Sequence, residues 1–203
     1  METQQKLPAR SSSDFSRGYS LLKRLSLFFG LALTGGVSDL WTKAVVFDWL
    51  GFPGESPRWW LLDGYVGVET AVNIGALFGM GAGFGLFFAF ASILAGAGIF
   101  IWLFFFQGAR SLWLTVAMGL VAGGIIGNLY DRLGLWYKPG MPAEWKSGVR
   151  DWILLAYGEY TWPNFNIADS LLVVGAIMLA WHSLTLKPPQ EATLKAQKTD
   201  LST

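Results

Sequence analysis

Four apolar runs, separated by polar segments, dominate the pattern of this chain. A helix needs about 20 residues to cross a hydrocarbon core about 30 Å thick, and each run is close to that length. The first extends from about Leu21 to Val46 and is interrupted by Asp39 and Lys43. The second lies within Phe84–Phe106, in a stretch with no charge between Glu69 and Arg110. The third is Leu112–Tyr130, bounded by Arg110 and Asp131, and the fourth is Ser170–Leu186, bounded by Asp169 and Lys187. The first run is long and carries internal charges, unlike a cleavable signal peptide. The pattern predicts a mainly α membrane protein with four transmembrane helices.

Between the runs the period changes from helical to two. Arg58-Trp-Trp-Leu-Leu, then Asp63-Gly64, then Tyr65-Val-Gly-Val predicts two short strands around an Asp-Gly turn, which is a strong hairpin signal. Val66, Val68, Thr70 and Val72 continue the alternation, and Gly148–Ile153 supplies a further strand. Leu135–Ser147, with its Pro and Gly residues, is expected to be loop. These pieces predict a small extracytoplasmic β-sheet on the membrane, with Trp59 and Trp60 as interfacial aromatics. Gly79, Gly81, Gly83 and Gly85 lack the βαβ setting of a dinucleotide loop and are expected to adapt the backbone where the sheet enters the second span.

Charge adds direction. Lys6, Arg10, Arg17, Lys23 and Arg24 precede the first span, Arg110 lies between the second and third, and Lys187, Lys195 and Lys198 follow the fourth. The positive-inside rule places both termini in the cytoplasm. Segments 48–72 and 132–168 then face outward, within one four-span unit over residues 21–186. Polar tails, 1–20 and 187–203, flank that unit; disorder is expected up to about Ser16 and after Lys187.

Composition narrows the chemistry. The chain is 53% hydrophobic and 14% charged, against about 25% charged in ordinary soluble domains. A net charge of +1 argues against a nucleic-acid partner. There is no Cys, and His182 is the only His, which excludes a thiol nucleophile, a His-based triad and a conventional zinc site. No metal or cofactor is expected.

Against that background one pattern stands out because it occurs twice: Asn128-Leu-Tyr-Asp131 and Asn166-Ile-Ala-Asp169. Residues three apart share a helix face, and an ionisable group at the edge of a span is a functional-site candidate. About 31 Å of helix separates Arg110 from Asp131, and about 27 Å separates Asp169 from Lys187. Both acids therefore fall at the outer membrane boundary, and Asp39 falls in the outer part of the first span. Gly119, Gly123 and Gly127, four apart, offer a groove for close approach of a neighbouring helix.

In order along the chain, five short segments resemble lipoprotein signal peptidase, the signal peptidase II family. They are Asp39-Leu-Trp-Thr-Lys43, Asn73-Ile-Gly-Ala-Leu-Phe78, Gly123-Gly-Ile-Ile-Gly-Asn128-Leu-Tyr-Asp131-Arg132, Val149-Arg-Asp151-Trp and Phe165-Asn166-Ile-Ala-Asp169-Ser170. The resemblance implies a bacterial inner-membrane aspartyl endopeptidase with its active site facing outward. It implies removal of the signal peptide from prolipoproteins, with cleavage before a diacylglyceryl-modified cysteine, so that prolipoproteins and membrane lipids are the expected partners. By motif position it implies Asp131 and Asp169 as the catalytic dyad. Two close carboxylates cannot both ionise, so such a pair offers an acid and a base together. Asn128 and Asn166 would orient the carboxylates or the substrate, and Arg132 would meet a polar part of the lipidated substrate. Asp39, Lys43 and Asn73 would support the site. Asp39 and Lys43 also read as an i,i+4 pair that neutralises itself, Asn73 as a turn residue, and Asp151 as a strand-edge charge. The stretch between Asp131 and Asp169 is longer than is usual in that family.

Three alternatives fit less well. Tyr130-Asp131 matches half of the presenilin-type signature, but the Gly-x-Gly-Asp half is missing. A Ser38/Lys43 peptidase fails because Ser38 lies off the face of Lys43. A proton carrier would place its carboxylates near the midplane, not at one boundary.

Overall fold

The computed structural model describes residues 12–75, 84–105 and 111–185. Among the described residues the fold has four long helices and one sheet: α1 (Ser12–Leu50), β1 (Trp59–Leu62), β2 (Val66–Asn73), α2 (Gly85–Phe105), α3 (Leu112–Arg132), β3 (Val149–Tyr157), β4 (Tyr160–Phe165) and α4 (Ile167–Thr185). All four helices are long and apolar enough to cross a membrane; in α1 the apolar part is Leu22–Leu50. The tails beyond residues 12 and 185, the glycines at 79, 81 and 83, and Arg110 lie outside the described residues. Helix α1 begins at Ser12, within the segment expected to be a polar tail.

Large apolar side chains point away from the protein along the helices. On α1, Phe29, Leu33, Val37, Trp41, Val45 and Trp49 recur every four residues and are all exposed. A stripe of that period on one helix face suits a lipid environment, where outward apolar surface carries no penalty. Inward, α3 is the central helix and packs on α1, α4 and α2. Its glycines allow the approach: a Cβ at Gly123 would lie 3.3 Å from both the Ala32 carbonyl oxygen and the Gly35 Cα of α1. One turn on, a Cβ at Gly127 would collide with the Asp39 carboxylate. The glycine stripe thus serves close helix packing, and its last member also makes room for a buried acid.

The sheet is antiparallel throughout, in the order β1-β2-β3-β4. Asp63-Gly64 forms the expected turn, with Gly64 at φ 74°, in the left-handed region that glycine enters freely. The loop 135–147 contains a 3₁₀ turn at Ala143–Ser147. Strand β4 had no counterpart in the sequence reading. It contains Pro163, which lacks the N–H of a central strand, and it occupies a sheet edge where that is tolerated. Its end runs directly into α4, while Asn73 at the end of β2 pairs with Val149 at the start of β3. The sheet therefore delivers three chain segments to the outer ends of α3 and α4.

Candidate active site

Lys43 organises the junction of the helices. Lys43 and Asp39, one turn apart on α1, are both completely buried, and Lys43 Nζ lies 2.6 Å from Asp39 Oδ2. The same ammonium lies 3.3 Å from Asp131 Oδ2 and donates to Asn128 Oδ1 at 3.0 Å. The ammonium is thus shared between one hydrogen bond, to Asn128, and two carboxylate charges on α1 and α3. Asp39 Oδ1 also accepts from the backbone N–H of Ala168 at 2.9 Å. That N–H belongs to the first turn of α4, where donors lack helical partners. One ion pair joins α1, α3 and α4.

Asp131 is also fully buried, and its contacts are with Arg150 and Lys43. Arg150 Nη2 donates to its Oδ1 at 2.7 Å, and the Arg150 backbone N–H donates to its Oδ2 at 3.0 Å. With Lys43 on the other side, both oxygens are taken by donors on α1 and β3. The sequence led to an expected pairing of Asp131 with Asp169; in the structure the ion pairs of Asp131 are with Arg150 and Lys43. The two Asn-x-x-Asp segments look alike in sequence but do different work. At Asn166 the segment is a reciprocal helix cap, in which Asp169 N–H donates to Asn166 Oδ1 at 2.8 Å and Asn166 N–H to Asp169 Oδ2 at 3.2 Å. At Asn128 it closes a helix and anchors Arg150.

The acid brought towards Asp169 is Asp151. It is 1% exposed, and its Oδ1 accepts from Asn166 Nδ2 at 2.6 Å; Asn73 also bonds its side chain. Burial, and after it the nearby charge of Asp169, push its carboxyl up from 3.8 to about 8. Asn128 Nδ2 donates to Asp169 Oδ1 at 2.8 Å, so each carboxylate is oriented by an asparagine amide. The expectation of a strand-edge charge at Asp151 is therefore also corrected. The usable signal was its place in the Val149-Arg-Asp151-Trp segment, between a buried Val and an aromatic.

Asn73 Oδ1 also accepts from Gly75 N–H at 3.0 Å in a local turn. Arg132 spends its guanidinium on backbone carbonyls: Asn73 at 3.2 Å, Ser147 at 2.9 Å, and Gly75. It also lies over the Phe88 ring, 5.4 Å from the centroid. Those contacts make it a brace for two loop ends at the wall of the site.

Beside these groups, between α2, α3 and α4, lies a cleft of about 440 Å³. Asn73, Asn128, Arg132 and Asp169 form its polar end, while Ala91, Ala95, Val121, Ile125 and Leu172 make the rest apolar. The Asp169 carboxylate at the polar end of an apolar cleft, with Asp151 buried behind it, suits peptide-bond hydrolysis on a substrate with an apolar body.

The family model described as signal peptidase (SPase) II matches residues 31–185. This chain belongs to the signal peptidase II family. As a member of that family it is a membrane aspartic endopeptidase and a multi-pass bacterial membrane protein. A lipoprotein signal peptidase of Rhodopirellula baltica is 63% identical over 161 residues, covering 79% of this chain and 72% of the relative. That of Teredinibacter turnerae is 33% identical over 77% of this chain and 86% of its own length. A bacterial membrane enzyme structure solved in meso at 2.3 Å superimposes with a TM-score of 0.63 over 85% of this chain and 94% of that one, at 22% identity. At that identity the likeness shows the shared fold.

Proposed function

We propose that Asp151 and Asp169 are the proton-sharing pair with which this signal peptidase II cuts its substrate. The observation that carries the reading is the burial of Asp151 beside the charge of Asp169, with its carboxyl raised to about 8. The reaction is removal of the signal peptide from prolipoproteins. At neutral pH Asp151 holds the shared proton, as an acid kept neutral by its surroundings does. Asp169 takes a proton from a water while that water's oxygen attacks the scissile carbonyl carbon. Asp151 donates its hydrogen bond to the carbonyl oxygen as charge develops there. In the tetrahedral intermediate a proton passes from the pair to the amide nitrogen and the C–N bond breaks. The products are a carboxylate on the signal peptide and a free amine on the released protein. Asn128 and Asn166 hold the two carboxylates in place through their amides. Asp131, Lys43 and Asp39 hold the helices that carry them.

The cleft supports the finer substrate assignment. Cleavage falls before a diacylglyceryl-modified cysteine, with the acyl chains along the apolar faces of α2, α3 and α4. The basic residues at Lys23 and Arg24 support cytoplasmic termini and an outward-facing site. Burying acyl chains is worth about 0.8 kcal/mol per CH₂, so the lipid contributes far more anchoring than the peptide alone. Matched peptides with and without the diacylglyceryl group, assayed in one detergent, test this. The specificity constant should be much higher for the lipidated peptide; equal constants would point to a general membrane peptidase.

A further inference from the structure

Between α3 and β3 the chain makes a closed excursion, Leu133–Gly148. Its ends meet. Gly134, at φ 72°, sits so close to the Lys146 carbonyl that a Cβ there would lie 2.7 Å from its oxygen. Arg132, just before the excursion, donates to the Ser147 carbonyl at 2.9 Å. A loop with joined ends that packs on its own side chains is a compact Ω-type element, and such loops are frequently functional.

Its side chains grip the outer end of α1. Trp136, 8% exposed, meets Phe47 edge-on at 6.2 Å. Phe52, just beyond α1, contacts both Phe47 at 6.4 Å and Trp145 at 5.8 Å. Trp136 also reaches the strand that carries Asp151. Its Nε1–H donates to the Gly148 carbonyl at 3.0 Å, and the Arg150 guanidinium lies over its ring, 5.3 Å from the centroid. Arg150 is thus held between the Trp136 ring and the Asp131 carboxylate, and the next residue is Asp151. Trp136 does not line the cleft.

We infer that Trp136 is a positioning residue for the cleavage reaction: it clamps Arg150 against Asp131 and so fixes where β3 presents Asp151 to Asp169. The excursion is a brace for the reacting strand, and the substrate does not touch it. A cation over an aromatic ring is strongest when shielded from water, and burial under Phe47 supplies that shielding. The inference rests on Asp151 being a member of the reacting pair.

The test uses the full-length protein in detergent with a diacylglyceryl-modified prolipoprotein peptide. Trp136→Leu keeps apolar volume but removes the ring face and the N–H, whereas Trp136→Phe keeps a ring face over Arg150. Trp136→Leu should lower kcat about tenfold, equivalent to about 1.4 kcal/mol of barrier, with KM within about twofold because no substrate contact is lost. The alkaline limb of its pH profile should move to lower pH as water reaches Asp151. Trp136→Phe should recover most of kcat. Phe47→Leu, which unpins the ring from outside, should show the same kcat-only loss in weaker form, and it decides the matter if Trp136→Leu does not fold. Wild-type kcat in the Leu variants, or a loss confined to KM, would overturn the clamp. Turnover by Asp151→Asn would overturn the pair beneath it, and that result is distinguishable because it does not depend on Trp136.

Discussion

Replacing Lys43 by Met should destabilise the protein severely while changing its shape little. The Met side chain fills nearly the same volume, but it removes the ammonium from three acceptors: Asp39 at 2.6 Å, Asp131 at 3.3 Å and Asn128 at 3.0 Å. Asp131 keeps Arg150 as a counter-charge. Asp39 keeps only the Ala168 N–H, in a site with no exposure. Breaking a buried pair by removing one partner costs about 3–5 kcal/mol, because the remaining charge is uncompensated. For a chain of this size each 1 kcal/mol is about 2–4 °C in Tm, so a fall of about 6–20 °C is expected. Thermal unfolding in detergent, followed by tryptophan fluorescence, measures it. The double variant Asp39→Asn/Lys43→Met removes both charges and should recover much of the loss. A Tm within a degree or two of wild type for Lys43→Met, or no recovery in the double variant, would show that the pair is not the joint of α1, α3 and α4.

Cleavage should have an alkaline limit near pH 8, because the proton that Asp151 carries below about pH 8 is lost above it; a kcat/KM that is flat through pH 9 would argue against a shared proton. Stability should move the same way. The unfolded chain ionises Asp151 near its model value of 3.8 while the native state keeps the proton to about 8. The native state therefore binds more protons in that window, and the Asp151 contribution is lost as pH rises from about 4 to about 8. Rising Tm over that window in wild type, relative to Asp151→Asn, would contradict the sign. EDTA should not inhibit, since no Cys and a single His leave little to hold zinc; inhibition reversed by added divalent metal would replace the metal-free mechanism.

The membrane spans were legible because each apolar run is bounded by charge and matches the bilayer thickness. The β1–β2 hairpin was legible through Asp63-Gly64, whose turn needs a residue at positive φ. Strand β4 was hidden by Pro163 and by a Gly158-Glu159 turn that carries no strong type I′ signal. The repeated Asn-x-x-Asp segment exposed three members of the hydrogen-bonded cluster at the cleft, Asn128, Asn166 and Asp169, while Asp131 is tied to Arg150 and Lys43. Equal spacing on a helix does not distinguish an acid that caps α4 from one that ends α3 and salt-bridges Arg150. Asp151 stayed hidden because its role arises from long-range contacts. Asn73 comes from the end of β2 and Asn166 from the end of β4, and only the folded sheet brings them to it. Alternation along Val149-Arg-Asp151-Trp, taken locally, gives a polar strand edge.

The proposed pair is Asp151 with Asp169, and Asp131 stands outside it. Turnover of a diacylglyceryl-modified prolipoprotein peptide by Asp151→Asn tests it most directly, with Tm recorded on the same preparation. The Asn side chain keeps the shape and can still bond Asn166, but it cannot carry the shared proton. Cleavage at background is expected, with a Tm no lower than wild type at neutral pH, since a buried acid beside Asp169 is replaced by a neutral amide. Near-wild-type turnover by Asp151→Asn would contradict it and return the second carboxylate of the reaction to Asp131.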